Sequence, residues 1–314
     1  MARYITRRIV FLLVTLLLTS IIVFTVTQYL PGDVARIVLG REAGEEQLNA
    51  YREEFGLNDP LPVQYVNWLT DFVQGNWGIS YSTRTEIFPL VVERLRNSLM
   101  LAALTMFIGV PLAVLLGVVA GLKEESRWDN LISIGSLSVV GLPEFVTGII
   151  LIEIFSRKLG WFPANSSIEP GSTFLEALPM LVLPAMAATL VLLAYIVRLT
   201  RAGVVEEFQR PYVRTAELKG LSNRAVVFKH VLRNALMPTI TIIAISFGWL
   251  ISGLIIIENV FNYPGVGRLM IFAIDRRDLP LLQALTMVTV LGFALANLLA
   301  DILYAYLDPR IRLS

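Results

Sequence analysis

Residues 99–122 read LMLAALTMFIGVPLAVLLGVVAGL, with Arg96 before them, Lys123 after them and no charged residue between. A helix needs roughly 20 apolar residues to cross a hydrocarbon core of about 30 Å. This block is long enough. Blocks of the same kind recur at 9–30, 131–155, 178–197, 238–257 and 281–303. The expectation is an all-α membrane protein with six transmembrane helices. Within the quoted block Gly109, Ala113, Gly117 and Gly121 stand four apart, a ridge of small residues that lets two helix backbones approach closely. Gly292, Ala296 and Ala300 repeat that spacing in the last block, and Gly248 and Ser252 in the fifth. Pro111 and the run Gly141-Leu142-Pro143 predict kinks or breaks.

Composition agrees with the blocks. The chain has 314 residues, 55% of them hydrophobic, and a net charge of +1. Its mean hydropathy is +0.67. That charge gives no sign of a nucleic-acid partner. There is no cysteine and only one histidine, His230, so a disulfide framework, a cysteine metal site and a histidine cluster are all excluded. Arg3, Arg7 and Arg8 precede the first apolar run as in a signal peptide. The run is longer than the 7–15 residues of a signal core and lacks a small-residue cleavage site, so it reads as an uncleaved first span.

Orientation follows from the basic residues. With the N-terminus inside, the cytoplasmic segments 1–8, 123–130, 198–237 and 304–314 hold 15 Lys/Arg, and the longer outer segments 31–98, 156–177 and 258–280 hold 11. The first outer segment also carries ten acidic residues. Positive loops stay inside, so both termini are expected in the cytoplasm. Three units follow: a first span at 1–30, an extracytoplasmic helical segment at 31–98, and a transmembrane core at 99–314 containing the loop 198–237. In the outer segment, Pro31-Gly32-Asp33, Gly56, Asn58-Asp59-Pro60, Gly75 and Gly78 punctuate helical patterns at 45–55 and 63–73. The second pattern puts Tyr65, Trp68, Leu69 and Phe72 on one face. A cap on the outer membrane face and a docking surface for an outside partner are both compatible with it.

Three acids lie at or near membrane depth: Glu144, Glu153 and Asp301. Charges there are costly and face protein or water. Ion pairs within the protein, a proton relay and a substrate contact all remain open for them. Candidate pathway residues are Glu144, Phe145, Trp249 and Ser252. No GxxxxGK[ST] phosphate loop, HExxH or Gly-x-Ser-x-Gly elbow occurs, so no catalytic or metal residue is assigned.

Segment 198–237 holds eight Lys/Arg. Val213, Ala216, Leu218, Leu221, Val226, Val227, Val231 and Leu232 recur through it at helical spacing. A basic amphipathic loop of this kind can lie on anionic lipid or meet a cytosolic protein. Its core, Tyr212-Val-Arg214-Thr215-Ala216-Glu217-Leu-Lys219-Gly220-Leu221, resembles the ATPase-coupling loop of ABC importer permeases. There Arg214-Thr215-Ala216 takes the Glu-Ala-Ala position and Gly220 the glycine. The tail His230-Val-Leu232-Arg233 departs from the general Ile-x-Leu-Pro and is similar to the dipeptide/oligopeptide/nickel subgroup. Further matches run almost the whole length. They are Leu30-Pro31-Gly32-Asp33, Phe55-Gly56-Leu57, Gln64-Tyr65, Asn76-Trp77-Gly78-x-Ser80 and Pro143-x-Phe145-x-x-Gly148. They continue with Glu258-x-x-Phe261-x-x-Pro264-Gly265-x-Gly267, Arg277-Asp278-x-Pro280, Asn297-x-x-x-Asp301 and Asp308-Pro309-Arg310-Ile311-Arg312. The long first outer segment resembles the first of the two permease subunits in such systems.

The resemblance implies a permease subunit, not an enzyme, in a prokaryotic inner membrane. Its implied partners are a second homologous permease, two cytoplasmic ATPases that hold ATP and Mg, an extracytoplasmic solute-binding protein and membrane lipid. Arg214, Thr215, Ala216, Glu217, Lys219, Gly220 and Leu221 would engage the ATPase, Ala216 and Leu221 by apolar contact and Arg214, Glu217 and Lys219 by charge. The subgroup moves di- and oligopeptides, nickel complexes, glutathione and some oligosaccharides, and the lack of metal-ligating residues favours peptide. The alternative of a different class is a self-contained carrier driven by an ion gradient, with Glu144 and Asp301 as proton sites.

Overall fold

The computed structural model describes residues 2–29, 34–39, 43–54, 56, 58–169 and 171–307. The turn at 30–33 and the motif at 308–312 lie outside the described residues, as do Phe55 and Leu57. The chain opens with a long helix, α1 (Ala2–Tyr29). Three short ones follow, α2 (Val34–Leu39), α3 (Glu45–Glu54) and α4 (Leu61–Gln74). Then come α5 (Ile87–Leu122), α6 (Arg127–Val140) and α7 (Glu144–Leu151), the last passing into a π-helical turn at Ile152–Lys158. Next is α8 (Phe174–Phe208). After it stand α9 (Pro211–Leu218), α10 (Asn223–Val226), a second π-helical turn (Val227–Val231) and α11 (Leu232–Ala235). The chain ends with α12 (Met237–Gly253), α13 (Ile255–Val260), α14 (Val266–Asp275) and α15 (Leu279–Leu307).

Four helices, α1, α5, α8 and α15, are long and apolar enough to cross a membrane. Two bent pairs can bring the number to six. Arg127–Val140 meets Glu144–Lys158 at 107°, and Asn223–Ala235 meets Met237–Leu250 at 46°. The first bend falls on Gly141-Leu142-Pro143, where a break was expected: Pro143 sits at the start of α7 and supplies no N–H to a preceding turn. At Pro111, where a kink or break was expected, α5 runs on as one helix without a break.

The core is the α5–α8 contact. Gly109, Ala113, Gly117 and Gly121 are all buried against α8. A Cβ on Gly117 would stand 2.6 Å from Thr200 Cβ and 2.8 Å from the Val197 carbonyl oxygen, and one on Gly121 would stand 2.7 Å from Val204 Cβ. The ridge therefore exists to bring two backbones together, as i±4 rows of small residues do. A lesser contact of the same kind joins α12 to α15, where a Cβ on Gly248 would meet Ala296 Cβ at 3.4 Å. Caps set where helices begin. Thr173 and Glu176 form a reciprocal capping box at the start of α8, and Ser126 caps α6.

The region around α4 is tied down by aromatics and hydroxyls. Tyr65 and Trp68 of α4 pack on Phe24 of α1 at 5.4 and 5.7 Å, and Phe72 stacks on Trp77 at 4.9 Å. Ser20 and Tyr65 share a hydrogen bond of 2.8 Å. The amide of Gln283 in α15 donates to Thr27 of α1 at 2.6 Å.

One substitution tests the helix contact. Gly117→Ala pushes a methyl into backbone and should cost about 1–3 kcal/mol, the range for overpacking. We expect a lower melting temperature for the purified chain in detergent. Gly135→Ala is the control, since its Cβ meets nothing within 4 Å. A Gly117→Ala protein that melts with the wild type would show that the close approach is dispensable.

Candidate functional site

The segment after α8 folds into a compact helical hairpin. Pro211 opens α9 at a position where its missing N–H costs nothing. The end of α9 is a Schellman cap. Gly220 N donates to Glu217 O at 2.9 Å and Leu221 N to Ala216 O at 3.3 Å. Gly220 has φ +76 and open space around its Cβ position. Glycine is used there for its left-handed backbone, not for lack of room. Ser222 then caps α10 through the Ala225 N–H. The string that carries the resemblance is, in local physics, a helix stop followed at once by a helix start.

The hairpin has a core of its own. Val204 of α8 packs with Val213, Ala216, Val226, Val231 and Ala235, all buried. Gly203 lets α8 touch α11, since a Cβ there would stand 2.5 Å from the Ala235 carbonyl oxygen. Tyr212 is the polar tie. Its hydroxyl donates to Glu207 at the end of α8 and accepts from Asn234 Nδ2 of α11 at 3.1 Å. Burial, and then the Glu207 carboxylate beside it, hold the Tyr212 phenol above its usual range.

This arrangement sorts the loop residues. Arg214, Thr215, Glu217, Lys219, Gly220 and Leu221 face solvent. Ala216 is 6% exposed. The expectation that it offers apolar contact to a partner is corrected: its methyl belongs to the hairpin's interior. Leu221 does reach out, as expected of it, and the most exposed apolar groups are Leu218, 82% exposed, and Phe228, 71% exposed. Sequence reasoning missed Phe228; its signal was a large aromatic out of phase with the buried valines. Arg224, Lys229 and Arg233 share the exposed surface.

The other candidates lie apart from this hairpin. Glu144 opens α7 at the 107° bend, and among the described residues its Oε2 is buried without a hydrogen-bond partner. Phe145 beside it is 48% exposed. Trp249 in α12 is half-buried and packs against the α5–α8 core. Ser252 lies in α12, but its side chain is outside the described residues. Glu153 pairs with Arg157 at 3.6 Å, and Asp301 with Arg8 of α1 at 3.0 Å.

The remaining motifs meet in space as clasps. Ser80 donates to Asp278 at 2.5 Å, and the Ser82 N–H donates to the same oxygen at 3.0 Å. Ser98 of α5 donates to Glu258 at 2.5 Å and accepts from the Val266 N–H at 2.9 Å. Asn97 takes the Tyr263 hydroxyl on its carbonyl at 2.6 Å and donates its amide to Pro264 O at 2.9 Å. A Cβ on Gly265 would stand 2.1 Å from Glu258 Oε1, so only glycine lets that carboxylate lie there.

Comparison with known proteins matches both parts of the chain. Residues 113–313 fit the family described as binding-protein-dependent transport system inner membrane component. Residues 1–102 fit the N-terminal region of such membrane components. A probable peptide ABC transporter permease of Sinorhizobium fredii is 38% identical, over 99% of this chain and all of that one. Glutathione transport system permeases of Escherichia coli and Salmonella choleraesuis are each 36% identical, over 99% of both chains. The chain belongs to the family of inner membrane components of binding-protein-dependent transport systems.

Proposed function

We propose that this chain is the first-type permease subunit of an ATP-driven peptide importer, and that the hairpin after α8 is its ATPase-coupling element. The chain crosses the inner membrane six times with both termini inside. Residues 31–98 form an outer helical unit, and 99–314 the core with its coupling loop at 198–237. It shares the pathway with a second, homologous permease. Two cytoplasmic ATPases bind ATP and Mg and do the hydrolysis, and an extracytoplasmic binding protein delivers the solute. Alternating access then follows from closure and opening of the ATPase pair. The solute class is peptide, which includes glutathione, as the names of the relatives support.

The observation that carries the coupling reading is a self-supporting hairpin with apolar side chains left over. Its interior is filled by its own valines and Ala216. Leu218 and Phe228 therefore have no fold role that their exposure would serve. An exposed pair of large apolar groups with basic residues around it suits a pocket with an acidic rim on a protein partner. Arg214, Glu217 and Lys219 set register there. Glu144, Phe145, Trp249 and Ser252 are proposed for the pathway side, where the 107° bend leaves a carboxylate oxygen unpaired.

Three outcomes test this. Gly220→Trp puts a bulky residue at a left-handed position and spoils the cap. We expect normal insertion and loss of ATP-dependent uptake, and a mutant with full uptake would misplace the loop. Phe228→Asp keeps the hairpin core intact. It should weaken recovery of the ATPases from membranes by about tenfold or more, as loss of a central aromatic contact does, and full recovery would move the contact elsewhere. Glu144→Gln separates the importer from the ion-driven carrier. ATP-driven uptake should stay within about twofold of wild type, the scale of a minor contact, and abolished uptake would bring the proton site back.

A further inference from the structure

Asp129 stands on the first turn of α6 and is 2% exposed. It takes the guanidinium of Arg201, 72 residues on in α8, as a two-pronged pair. Arg201 Nε reaches Oδ1 at 2.5 Å and Nη2 reaches Oδ2 at 2.7 Å. The Glu125 N–H donates to Oδ2 at 3.0 Å, and Ser133 Oγ to Oδ1 at 3.2 Å. Every direction from which the carboxylate accepts is thus used. A buried carboxylate so held fixes both position and angle, because the planar fork resists rotation.

The location gives the pair its meaning. Arg201 lies between the packed part of α8 and the hairpin. Its carbonyl oxygen would stand 3.1 Å from a Cβ on Gly121, and Val204, one turn on, is already part of the hairpin core. Asp129 lies on the helix that runs directly to the 107° bend and to Glu144. We infer that Asp129 and Arg201 form a transmission joint: the pair makes α6, and with it the bend at 141–143, follow α8 whenever the coupling hairpin is moved. The joint stays closed throughout the cycle. It acts by positioning and touches neither solute nor nucleotide. The inference rests on the coupling reading above, and the experiment keeps the two apart.

The chain has no cysteine, so one introduced at Leu142, 45% exposed at the bend, is the only thiol it carries. The assembled complex bearing Leu142→Cys is put into liposomes. The rate of its modification by N-ethylmaleimide is measured with and without ATP plus vanadate. We expect the nucleotide to change that rate. Asp129→Asn should shrink the change by about fivefold or more, the lower end of ordinary coupling between sites, while the ATPases remain bound and hydrolyse ATP. Arg201→Lys, which keeps the charge and loses the fork, should shrink it partly. The joint is overturned if Asp129→Asn keeps the full response, or if the wild-type bend shows none. It is also overturned if both single variants fail to hold the ATPases, since the pair is then only a folding clamp. Failure of the coupling reading looks different: Gly220→Trp would keep the nucleotide response, whereas failure of the joint leaves Gly220→Trp blocked and Asp129→Asn silent.

Discussion

The structure depends on the contact between α5 and α8. In a bilayer no hydrophobic force draws one apolar helix to another, so association rests on close packing and polar ties. Gly109, Ala113, Gly117 and Gly121 supply the packing by removing side chains from one face. The result is visible in burial. The apolar stretch of α8 is 67% buried within this single chain, whereas that of α1 is 11% buried. α8 is the axle of the fold, and α1 lies outside it, held by α4 and α15. The apolar face of α1 is left to lipid or to another subunit.

Polar clasps do near the start of α5 what the small residues do further along it. Asp278 is fully buried and takes the Ser80 hydroxyl and the Ser82 N–H from 198 and 196 residues away, and Glu258, 1% exposed, takes the Ser98 hydroxyl from 160 residues away and the Arg268 N–H from nearby. Buried polar groups must be paired, and here the pairing joins the start of α5 to the loop after α13, and the turn at 76–80 to the start of α15. The motifs that the sequence shares with peptide permeases are therefore mostly scaffold. They fix the first part of α5 and the start of α15 to distant loops.

This explains what could be read from the sequence. The apolar blocks, the break at 141–143 and the α4 aromatic face were legible, because each is a local pattern with a local cause. Ala216 was misread for an instructive reason. Helical periodicity marks which side of a helix is covered but not what covers it, and the hairpin's own valines do so. Phe228 escaped because it breaks that period. The pairs Asp129–Arg201, Ser98–Glu258 and Ser80–Asp278 were not legible at all. Their members are separated by 72, 160 and 198 residues; Ser80, Glu258 and Asp278 stand in quoted motifs, but nothing local says which residue each one meets.

The course of α8 shows how the two ends of the bundle can be related. Its 35 residues make a helix of about 52 Å at 1.5 Å per residue. Its two prolines, Pro179 and Pro184, fall in the first third, and the stretch from there to Phe208 contains no further proline. Proline bending is thus confined to the end that the Thr173 capping box and the Arg96–Ser172 bond already hold. The remaining two thirds are stiff. They carry the small-residue contact, Arg201 and the wall of the hairpin core in sequence. A displacement of the hairpin is therefore borne by a rod and not dissipated in a hinge. The bent pair α6/α7 is joined to that rod through both arms, by the Asp129–Arg201 pair on α6 and by Leu151 of α7, which lies in the same buried core as Leu181 and Leu183 of α8.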